Sequence, residues 1–357
     1  MTINVAFCTD HAYVKHLSVA LVSMLEHNKA HHVRVYVVSP AISERDLARL
    51  KDISSRYDSE IVSIEIDETQ VSHLREHSHI SRAMYYRIFL PTILDVEKVI
   101  YFDCDMAIEA DIGELWSIDV SEVGCAGVQD ENPEDHARLG LKDAYINSGS
   151  LIMNLAFWRQ HQVSARCLEW LINNKEEAIL PDQDAIIVLL ENYKIYLPRK
   201  WNLNPVPFND LTVLDHYPSR VVHFGGPIKP WHLFYDFELQ KIYRKYLAMT
   251  PWDAEFVMLE PVNCGQCLSV ANQYFARGNL ELAARYYSLA IRIRCASTRV
   301  ESELLLEAIK CGLRLEASGN FSDSSALYRA CFIEWELPVR HEVNIYRVPG
   351  LIESSGN

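Results

Sequence analysis

Short apolar segments alternate with amphipathic helical segments along the first part of the chain. Residues 3–8, 33–38 and 61–66 are each of strand length and are rich in β-branched and other apolar residues. Between them, residues 15–27 and 43–57 carry apolar residues at helical spacing. Strands that are separated by helices are joined by right-handed crossovers into a parallel sheet with helices on its faces. The sequence therefore predicts an α/β fold.

Two aspartates follow the next apolar segment. Residues 98–102 run directly into Asp103, Cys104 and Asp105. Because side chains repeat with a period of two along an extended segment, the two carboxylates point to the same side. Ligands of parallel sheets bind beyond the carboxyl ends of the strands, where two carboxylates can hold one hard divalent cation. The alternative is a solvated turn, and a metal site requires a further protein ligand elsewhere in the chain.

A histidine far along the chain is the candidate for that further ligand. His223 ends a short apolar segment, and Gly225 and Gly226 after it allow the backbone to approach a ligand closely. Lys229 lies within reach of a phosphate bound there. Carboxylate oxygens combined with an imidazole nitrogen suit Mn²⁺ and also tolerate Mg²⁺. A histidine beside glycines is also typical of an ordinary polar loop, so the residues alone leave both interpretations open.

Two further segments combine amides, acids and glycine. The first contains Asn147 and Gly149, and the second is Asp182-Gln183-Asp184 behind a proline. One interpretation is structural: a strand with a glycine, and a helix N-terminus, where Pro and Asp are favoured. The other is functional, in which Asn147 and the Gly149 backbone bind a polyhydroxylated ligand while Asp182 and Gln183 orient its hydroxyl groups.

The charge and the cysteine content restrict the partners and the compartment. The chain carries 34 Lys and Arg against 48 Asp and Glu, a formal charge of −14, which is the wrong sign for binding nucleic acid or an anionic membrane surface. Nine cysteines without metal-type spacing indicate a reducing compartment. No targeting segment and no apolar run of about 18 residues is recognised. We expect a cytoplasmic protein that binds no nucleic acid, with peripheral attachment at the inner face of the membrane left open.

The composition changes after the first two thirds of the chain. We expect residues 1–255 to form the α/β domain, residues 256–350 to form an all-helical domain, and residues 351–357 to be disordered. A Gly-Asn pair at residues 278–279 recurs at residues 319–320 between segments of helical spacing, which resembles tetratricopeptide helix pairs. These helices either pack on the first domain or bind a protein partner, a second copy of the chain included.

Seven motifs follow one another in a fixed order between residues 3 and 252. They are Phe7-Cys-Thr-Asp10-x-x-Tyr13, Ser81-Arg82-Ala-x-Tyr85-Tyr86-Arg87, Tyr101-Phe-Asp103-Cys-Asp105, Tyr145-Ile-Asn147-Ser-Gly149, Asp182-Gln183-Asp184, Lys200-Trp-Asn202 and His223-Phe-x-Gly-x-x-Lys229-Pro-Trp. Together they resemble the retaining glycosyltransferases of family 8, which include glycogenin and the bacterial lipooligosaccharide galactosyltransferases. The C-terminal part of the chain lies outside this resemblance.

The resemblance implies a GT-A fold, in which a mixed and mainly parallel sheet flanked by helices binds a UDP-sugar. It implies that Asp103, Asp105 and His223 are the metal ligands and that the metal bridges the diphosphate. By the same resemblance, Arg82 and Lys229 neutralise the phosphates and contact the donor sugar. The remaining positions matched to donor binding are Asp10 and Tyr13 near the uracil, Asn147, Asp182 and Gln183 at the transferred sugar, and Cys104, Gly149 and Gly226.

The residue at the reacting face determines the mechanism that we expect. Retention of configuration normally requires a carboxylate nucleophile, whereas Gln183 carries an amide, which is a poor nucleophile. We therefore favour a front-face mechanism, in which the acceptor hydroxyl enters on the side from which UDP leaves and a diphosphate oxygen takes its proton. Asp182 is the alternative nucleophile or a residue that positions the sugar.

Three functions remain open from the sequence. The favoured one is a metal-dependent retaining hexosyltransferase of polysaccharide biosynthesis, which transfers galactose or glucose from UDP-galactose or UDP-glucose to a glycan, a lipid-linked or a protein-linked acceptor. The second is a glycogenin-like initiator that glucosylates its own tyrosine. The third is a catalytically silent protein that binds a partner through its C-terminal helices.

Overall fold

The structure of the chain, a computed structural model, divides into two compact units, Met1–Leu259 and Glu260–Asn357. The segment that we expected to be disordered, residues 351–357, lies outside the described residues. The structure describes residues 2–74, 81–130, 137–175, 177–204, 212–226, 229–232, 237–259, 264–293 and 298–334.

Within its described residues, the first unit is built on a mixed sheet of seven strands and a separate sheet of two. The strands are β1 (Thr2–Cys8), β2 (His32–Ser39), β3 (Ser59–Glu65), β4 (Lys98–Phe102), β5 (Met106–Glu109), β6 (Cys125–Gln129), β7 (Ile146–Asn154), β8 (Lys194–Leu197) and β9 (Arg220–His223). The large sheet has the order β3-β2-β1-β4-β7-β6-β8, and β5 pairs with β9. In the large sheet, β7 is antiparallel to β4 and β6, and the other pairs are parallel.

Helices connect and cover these strands, as the alternating sequence pattern predicts. In the described part of the first unit they are α1 (Val14–His27), α2 (Glu44–Ser55), α3 (Tyr86–Ile93), α4 (Ile112–Trp116), α5 (Leu155–Gln160), α6 (Val163–Asn173), α7 (Pro181–Leu189), α8 (Thr212–His216) and α9 (Phe237–Leu247). Strands β1 and β2 are buried along most of their length, which is typical of parallel strands covered on both faces. The mixed, mainly parallel α/β architecture expected from the sequence is confirmed.

The segment before β4 differs from the sequence expectation. The pattern predicts a helix over residues 81–90 that stops at Pro91, whereas the chain forms a 3-10 turn over Arg82–Tyr85 and then α3. Pro91 lies inside α3. The ring fixes φ at a value that a helix accepts, so the proline removes one backbone hydrogen bond without ending this short helix.

The second unit is helical in its described part, as expected. Gly278 and Gly319 have φ values of +77° and +82° in the turns within the first and second helix pairs. Only glycine adopts this left-handed conformation without strain. The helices are α10 (Cys264–Ala276), α11 (Leu280–Ile293), α12 (Thr298–Ala317) and α13 (Phe321–Glu334). In neither unit does a described helix combine the length and apolar character needed to cross a bilayer.

The cysteines of the described residues are in two states. The free ones, Cys8 and Cys104 among them, are all buried. Cys264 at the start of α10 is disulfide-bonded, whereas the cysteine content indicated a reducing compartment, in which disulfides are rare. The free thiols near the sheet are packed as small apolar groups.

Candidate active site

The topology of the large sheet brings three chain segments to one edge. Strands β1 and β4 are parallel neighbours, so their carboxyl ends meet there. Strand β7 runs in the opposite direction, with Phe102 of β4 opposite Ser150, so that β7 begins at the same edge. The Asp103 N–H donates to the Gly149 carbonyl at 2.8 Å. The sheet therefore places residues 147–149 beside the two aspartates.

The small sheet brings His223 to the same place. Strands β5 and β9 are antiparallel, and Met106 lies opposite His223. The Phe224 N–H donates to the Asp105 carbonyl at 2.9 Å. Because Asp105 directly precedes Met106, the register of this ladder sets the imidazole beside the Asp105 carboxylate.

Asp103, Asp105 and His223 form a cluster whose ligand atoms all lie within 4.8 Å of one another. The two aspartates are partly buried and the histidine is buried. Two carboxylate oxygens and one imidazole nitrogen fit the preferences of a divalent cation such as Mn²⁺. A Cβ on Gly149 would lie 2.6 Å from His223 Cε1 and 2.9 Å from Asp103 Oδ2. Glycine at this position is therefore required for the three ligands to converge.

Asp105 is paired with a lysine. Lys229 Nζ donates to Asp105 Oδ2 at 2.5 Å and to the Phe224 carbonyl at 2.9 Å. His223 Nε2 lies 3.5 Å from Asp105 Oδ1. Burial acts to raise the pKa of Asp105, but Lys229 and His223 outweigh it and hold that pKa below its usual range. The carboxylate is therefore ionised and available to a cation.

Asp103 is held by a buried arginine that our sequence analysis gave no role. Arg87 Nη2 donates to Asp103 Oδ1 at 2.8 Å, and the Tyr101 hydroxyl donates to the same oxygen at 2.6 Å. Arg87 Nη1 donates to the Ser148 carbonyl at 2.7 Å and to its Oγ at 2.9 Å. A single arginine within the apolar segment 84–90 was a usable signal, because a buried guanidinium requires acidic or carbonyl partners.

Asp182 lies in the first turn of α7 and is buried. Its Oδ2 is 3.0 Å from Arg87 Nε, yet no aligned hydrogen bond joins that oxygen to the described residues. Burial raises the pKa of Asp182 to about 6, although the Arg87 guanidinium opposes the shift and Asp103 adds to it. A carboxyl group of this kind is a hydrogen-bonding partner whose charge state is easily changed by a ligand.

Gln183 is oriented by Ser148. The Ser148 N–H and hydroxyl both donate to Gln183 Oε1, at 2.6 Å and 3.0 Å. Gln183 Nε2 is buried and has no hydrogen-bond partner among the described residues. Asp184 holds this turn in place, since its Oδ2 accepts from the backbone N–H groups of Ile179 and Leu180. The amide oxygen of Gln183 is thus already engaged within the protein.

Asn147 and Asn202 connect the start of β7 to His223. The Gly149 N–H donates to Asn147 Oδ1 at 3.0 Å, and Asn202 Nδ2 donates to the same oxygen at 2.9 Å. Asn147 Nδ2 donates to Asp130 Oδ2 at 3.0 Å. Asn202 Oδ1 lies 3.0 Å from His223 Nδ1. The side-chain amide of Asn147, which the resemblance matched to the sugar, is therefore engaged by the protein.

The segment after β1 lies next to the Lys229 segment. Asp10 Oδ1 accepts from the Tyr13 N–H at 2.9 Å. The Tyr13 ring is edge-on to the Trp231 ring, with centroids 5.6 Å apart, and Trp231 stacks on His16 at 3.4 Å. These contacts fix residues 229–232 against the start of α1.

Three predicted site residues differ in how the structure uses them. Cys104 Sγ donates to the Cys8 carbonyl at 3.2 Å, so its side chain faces the core and only its backbone is left for a ligand. Arg82 Nε donates to the Leu74 carbonyl at 3.5 Å, which does not join it to the carboxylate cluster. Gly226 has a φ of +88° with open space at its Cβ position, a backbone conformation that glycine adopts without strain.

Comparison with known proteins identifies relatives of this chain. "General stress protein A" of Bacillus subtilis is 27% identical over 270 residues, covering 70% of this chain and 94% of that protein. The lipopolysaccharide 1,2-glucosyltransferase of Escherichia coli K12 is 24% identical over 266 residues, covering 70% of this chain and 79% of its own length.

A solved structure shares the fold of the first unit. It is the galactosyltransferase LgtC in complex with donor and acceptor sugar analogues, with a TM-score of 0.64 and 22% identity, covering 71% of this chain and all of that one. The sequence profile described as "Glycosyl transferase family 8" matches residues 4–234, the part of the chain that carries the sheet and the cluster. The chain belongs to glycosyl transferase family 8.

Proposed function

We propose that the chain is a metal-dependent retaining hexosyltransferase that uses a UDP-sugar as its donor. The observation that carries the proposal is the convergence of Asp103, Asp105 and His223 within 4.8 Å, with the Lys229 ammonium group beside them. A donor diphosphate carries negative charge that a protein with a formal charge of −14 cannot balance without concentrated local positive charge. A divalent cation held by the cluster would supply that charge together with Lys229.

The residues divide into a diphosphate side and a sugar side. On the diphosphate side, Asp103, Asp105 and His223 would hold Mn²⁺ or Mg²⁺, which supplies Lewis-acid stabilisation of the leaving group when bound. Lys229 donates a hydrogen bond to a phosphate oxygen as charge develops there. Asp10 and Tyr13, at the end of β1, bind the uracil, and the backbone of Gly149 borders the sugar.

On the sugar side, Asp182 accepts hydrogen bonds from the hydroxyl groups of the transferred hexose, and Arg87 fixes the carboxylate. Because Gln183 Oε1 already accepts two hydrogen bonds from Ser148, this oxygen is poorly suited to act as a nucleophile. We therefore favour front-face substitution: the acceptor oxygen forms its bond to the anomeric carbon as the bond to UDP breaks. The acceptor proton passes to the departing diphosphate, so that no covalent sugar–enzyme species forms.

The hexose that we propose is galactose or glucose. The relatives include a lipopolysaccharide 1,2-glucosyltransferase, and the similar solved structure is a galactosyltransferase. The two sugars differ in the configuration of one hydroxyl group, which an enzyme distinguishes by the polar groups placed around it. The proposed acceptor is a glycan or a lipid-linked saccharide, because the glucosyltransferase relative is named for its action on lipopolysaccharide.

The test is UDP release from a panel of UDP-sugars, with and without Mn²⁺ and without an added acceptor. Slow hydrolysis of the donor reports on the donor site alone. We expect release from UDP-galactose or UDP-glucose that a chelator abolishes and that Asp105→Asn lowers by about 100-fold. The matched control is Asp58→Asn, the same change at a carboxylate that pairs with His32 on the surface.

Two results would contradict the proposal. Release that is equally fast in the Asp105→Asn and Asp58→Asn variants would remove the cluster from the reaction. Failure of the wild-type protein to release UDP from any donor, combined with failure to bind UDP and Mn²⁺ in a calorimeter, would exclude the donor site altogether.

A further inference from the structure

The orientation of the Asn147 side-chain amide is fixed by the backbone. The Gly149 N–H can only donate, and it lies 3.0 Å from the Asn147 side-chain atom assigned as Oδ1. An amide nitrogen at that position would oppose this donor, so the oxygen must face Gly149. The Nδ2 group of Asn147 then meets an acceptor, Asp130 Oδ2, at 3.0 Å. All polar atoms of this amide have partners in only one of its two orientations.

The orientation of Asn147 in turn fixes that of Asn202. Asn147 Oδ1 is an acceptor, and the Asn202 atom 2.9 Å from it must therefore be the donor Nδ2. The Asn202 oxygen is then directed at His223 Nδ1, 3.0 Å away. Asn202 and His223 are 6% and 7% exposed, so water does not compete effectively for these hydrogen bonds.

We propose that Asn202 is a positioning residue that holds neutral His223 in the tautomer with its proton on Nδ1. An amide oxygen facing Nδ1 is satisfied only by an N–H group, so the lone pair of the imidazole is left on Nε2. The Nε2 atom is the one that faces Asp105, at 3.5 Å. The hydrogen bonds that run from the Gly149 N–H through Asn147 and Asn202 to His223 thus leave a lone pair on Nε2, the nitrogen that a divalent cation would bind.

This inference rests on the metal-dependent function proposed above, because it concerns the readiness of His223 to act as a ligand. It assigns roles to two residues, Asn147 and Asn202, that bind no metal themselves. A hydrogen bond to the distal nitrogen of a metal-binding imidazole changes metal affinity by about 10-fold to 100-fold in other sites. The same range is expected here, without loss of the fold.

The first experiment measures Mn²⁺ affinity by calorimetry in the full-length protein with no nucleotide present. Asn202→Leu keeps the branched shape and the number of heavy atoms of the side chain and removes the acceptor, and we expect Mn²⁺ to bind about 10-fold to 100-fold more weakly. Asn202→Asp retains an oxygen for the Nδ1 proton, and we expect affinity within about threefold of the wild type. A purely structural role would make both variants weak.

The control is Asn154→Leu, the same change at the opposite end of β7. The Asn154 amide is also buried, and it accepts from the Phe157 N–H and donates to the Val120 carbonyl. We expect this variant to lose stability and to bind Mn²⁺ as the wild type does. Equal affinity losses in Asn202→Leu, Asn202→Asp and Asn154→Leu would overturn the inference.

The second experiment uses the wild-type protein and does not depend on whether an Asn202 variant folds. Wild-type protein labelled with ¹⁵N at histidine is studied by NMR in the presence of a chelator. The pH is about 8.5, roughly two units above the ordinary imidazole pKa. The signals of His223 are identified by their absence from the spectrum of His223→Gln. A proton bonded to Nδ1 supports the inference, and a proton bonded to Nε2 overturns it. Because neither readout uses a UDP-sugar, a protein that gives these results but neither binds UDP nor releases it from any donor would contradict the proposed function and leave this inference standing.

Discussion

The Nζ atom of Lys229 and the Oδ2 atom of Asp105 are 2.5 Å apart, and their side chains are only 10% and 12% exposed. The lysine belongs to the segment after β9, whereas the aspartate follows β4. The ion pair therefore connects the segment after β9 to the segment after β4 through their side chains, in addition to the backbone pairing of β5 with β9. A buried ion pair of this kind is costly to break on one side only, because the remaining charge has no solvent to stabilise it.

Replacement of Lys229 by methionine should therefore reduce stability. We expect the free energy of unfolding to fall by about 3 kcal/mol, since the Asp105 carboxylate loses its main cationic partner. Adding Mn²⁺ should recover part of this loss, because a bound cation stabilises the same carboxylate. Urea unfolding with and without Mn²⁺ measures both effects. Lys245→Met, which removes a half-exposed ammonium group paired with Glu109, should change stability by less than about 1 kcal/mol; a loss of equal size there would contradict the prediction.

Arg87→Lys should lower turnover although the charge is kept. A lysine has one ammonium group and cannot contact Asp103, Ser148 and Asp182 at once, as the Arg87 guanidinium does. We expect kcat with the preferred UDP-sugar to fall by about 100-fold from misplacement of these groups. Steady-state kinetics give the result, with the exposed Arg159→Lys as the control. Unchanged kcat would show that Arg87 is only a packing residue.

Gly149→Ala should weaken metal binding more than it weakens the fold. The added methyl group would lie 2.6 Å from His223 Cε1 and 2.9 Å from Asp103 Oδ2, so at least one ligand must move. We expect Mn²⁺ affinity to fall by about 10-fold or more, as measured by calorimetry. Gly124→Ala places its methyl group 2.5 Å from Leu190 in the core instead and should leave Mn²⁺ affinity unchanged. If both variants bound Mn²⁺ alike, the steric argument would be wrong.

Asp182→Asn should stabilise the protein at neutral pH while it impairs turnover. The pKa of Asp182 is raised from 3.8 to about 6, first of all by burial. The folded state therefore binds more protons than the unfolded state between these values, and stability falls as the pH rises through them. The ionised group disfavours folding by about 3 kcal/mol above pH 7. Asparagine carries no charge and therefore removes this unfavourable contribution to the free energy of folding.

Urea unfolding at two pH values in chelator tests this prediction. At pH 7.5 we expect Asp182→Asn to be more stable than the wild type by up to about 3 kcal/mol, and at pH 3.5, where the wild-type carboxyl is largely protonated in both states, we expect the difference to vanish. A variant less stable than the wild type at both pH values would show that Asp182 folds as a fully paired carboxylate.

The alternating pattern was sufficient to predict an α/β sheet with Asp103 and Asp105 at the end of a strand, where ligands of such sheets bind. The residues alone made His223 only a candidate ligand, and the resemblance to family 8 selected it, since its strand β9 belongs to the separate two-stranded sheet. The local signal at residues 81–90 is misleading because Pro91 predicts the end of a helix, whereas α3 continues through it. Propensity gives way to tertiary contacts at such positions.

The contacts around the cluster were not predictable in the same way. Arg87 meets Ser148 only because β4 and β7 are antiparallel in one particular register, and a shift of one residue would turn Ser148 to the other face. The contact between Asn202 and His223 depends on a turn with no repeating pattern. Single motifs identify residues that contact a ligand. The residues that orient those ligand-contacting side chains are recognised only from distances in the folded structure.

The ladder between β5 and β9 joins Met106 to His223, more than 100 residues later in the chain. During synthesis, the two aspartates leave the ribosome long before the histidine does, and the pairing of such distant segments is slow because a long loop must close first. A nascent chain therefore carries the two carboxylates without the histidine until β9 is made. Acquisition of a cation by the proposed site would consequently be a late event in the life of the molecule, and it would report that the ladder between β5 and β9 has formed.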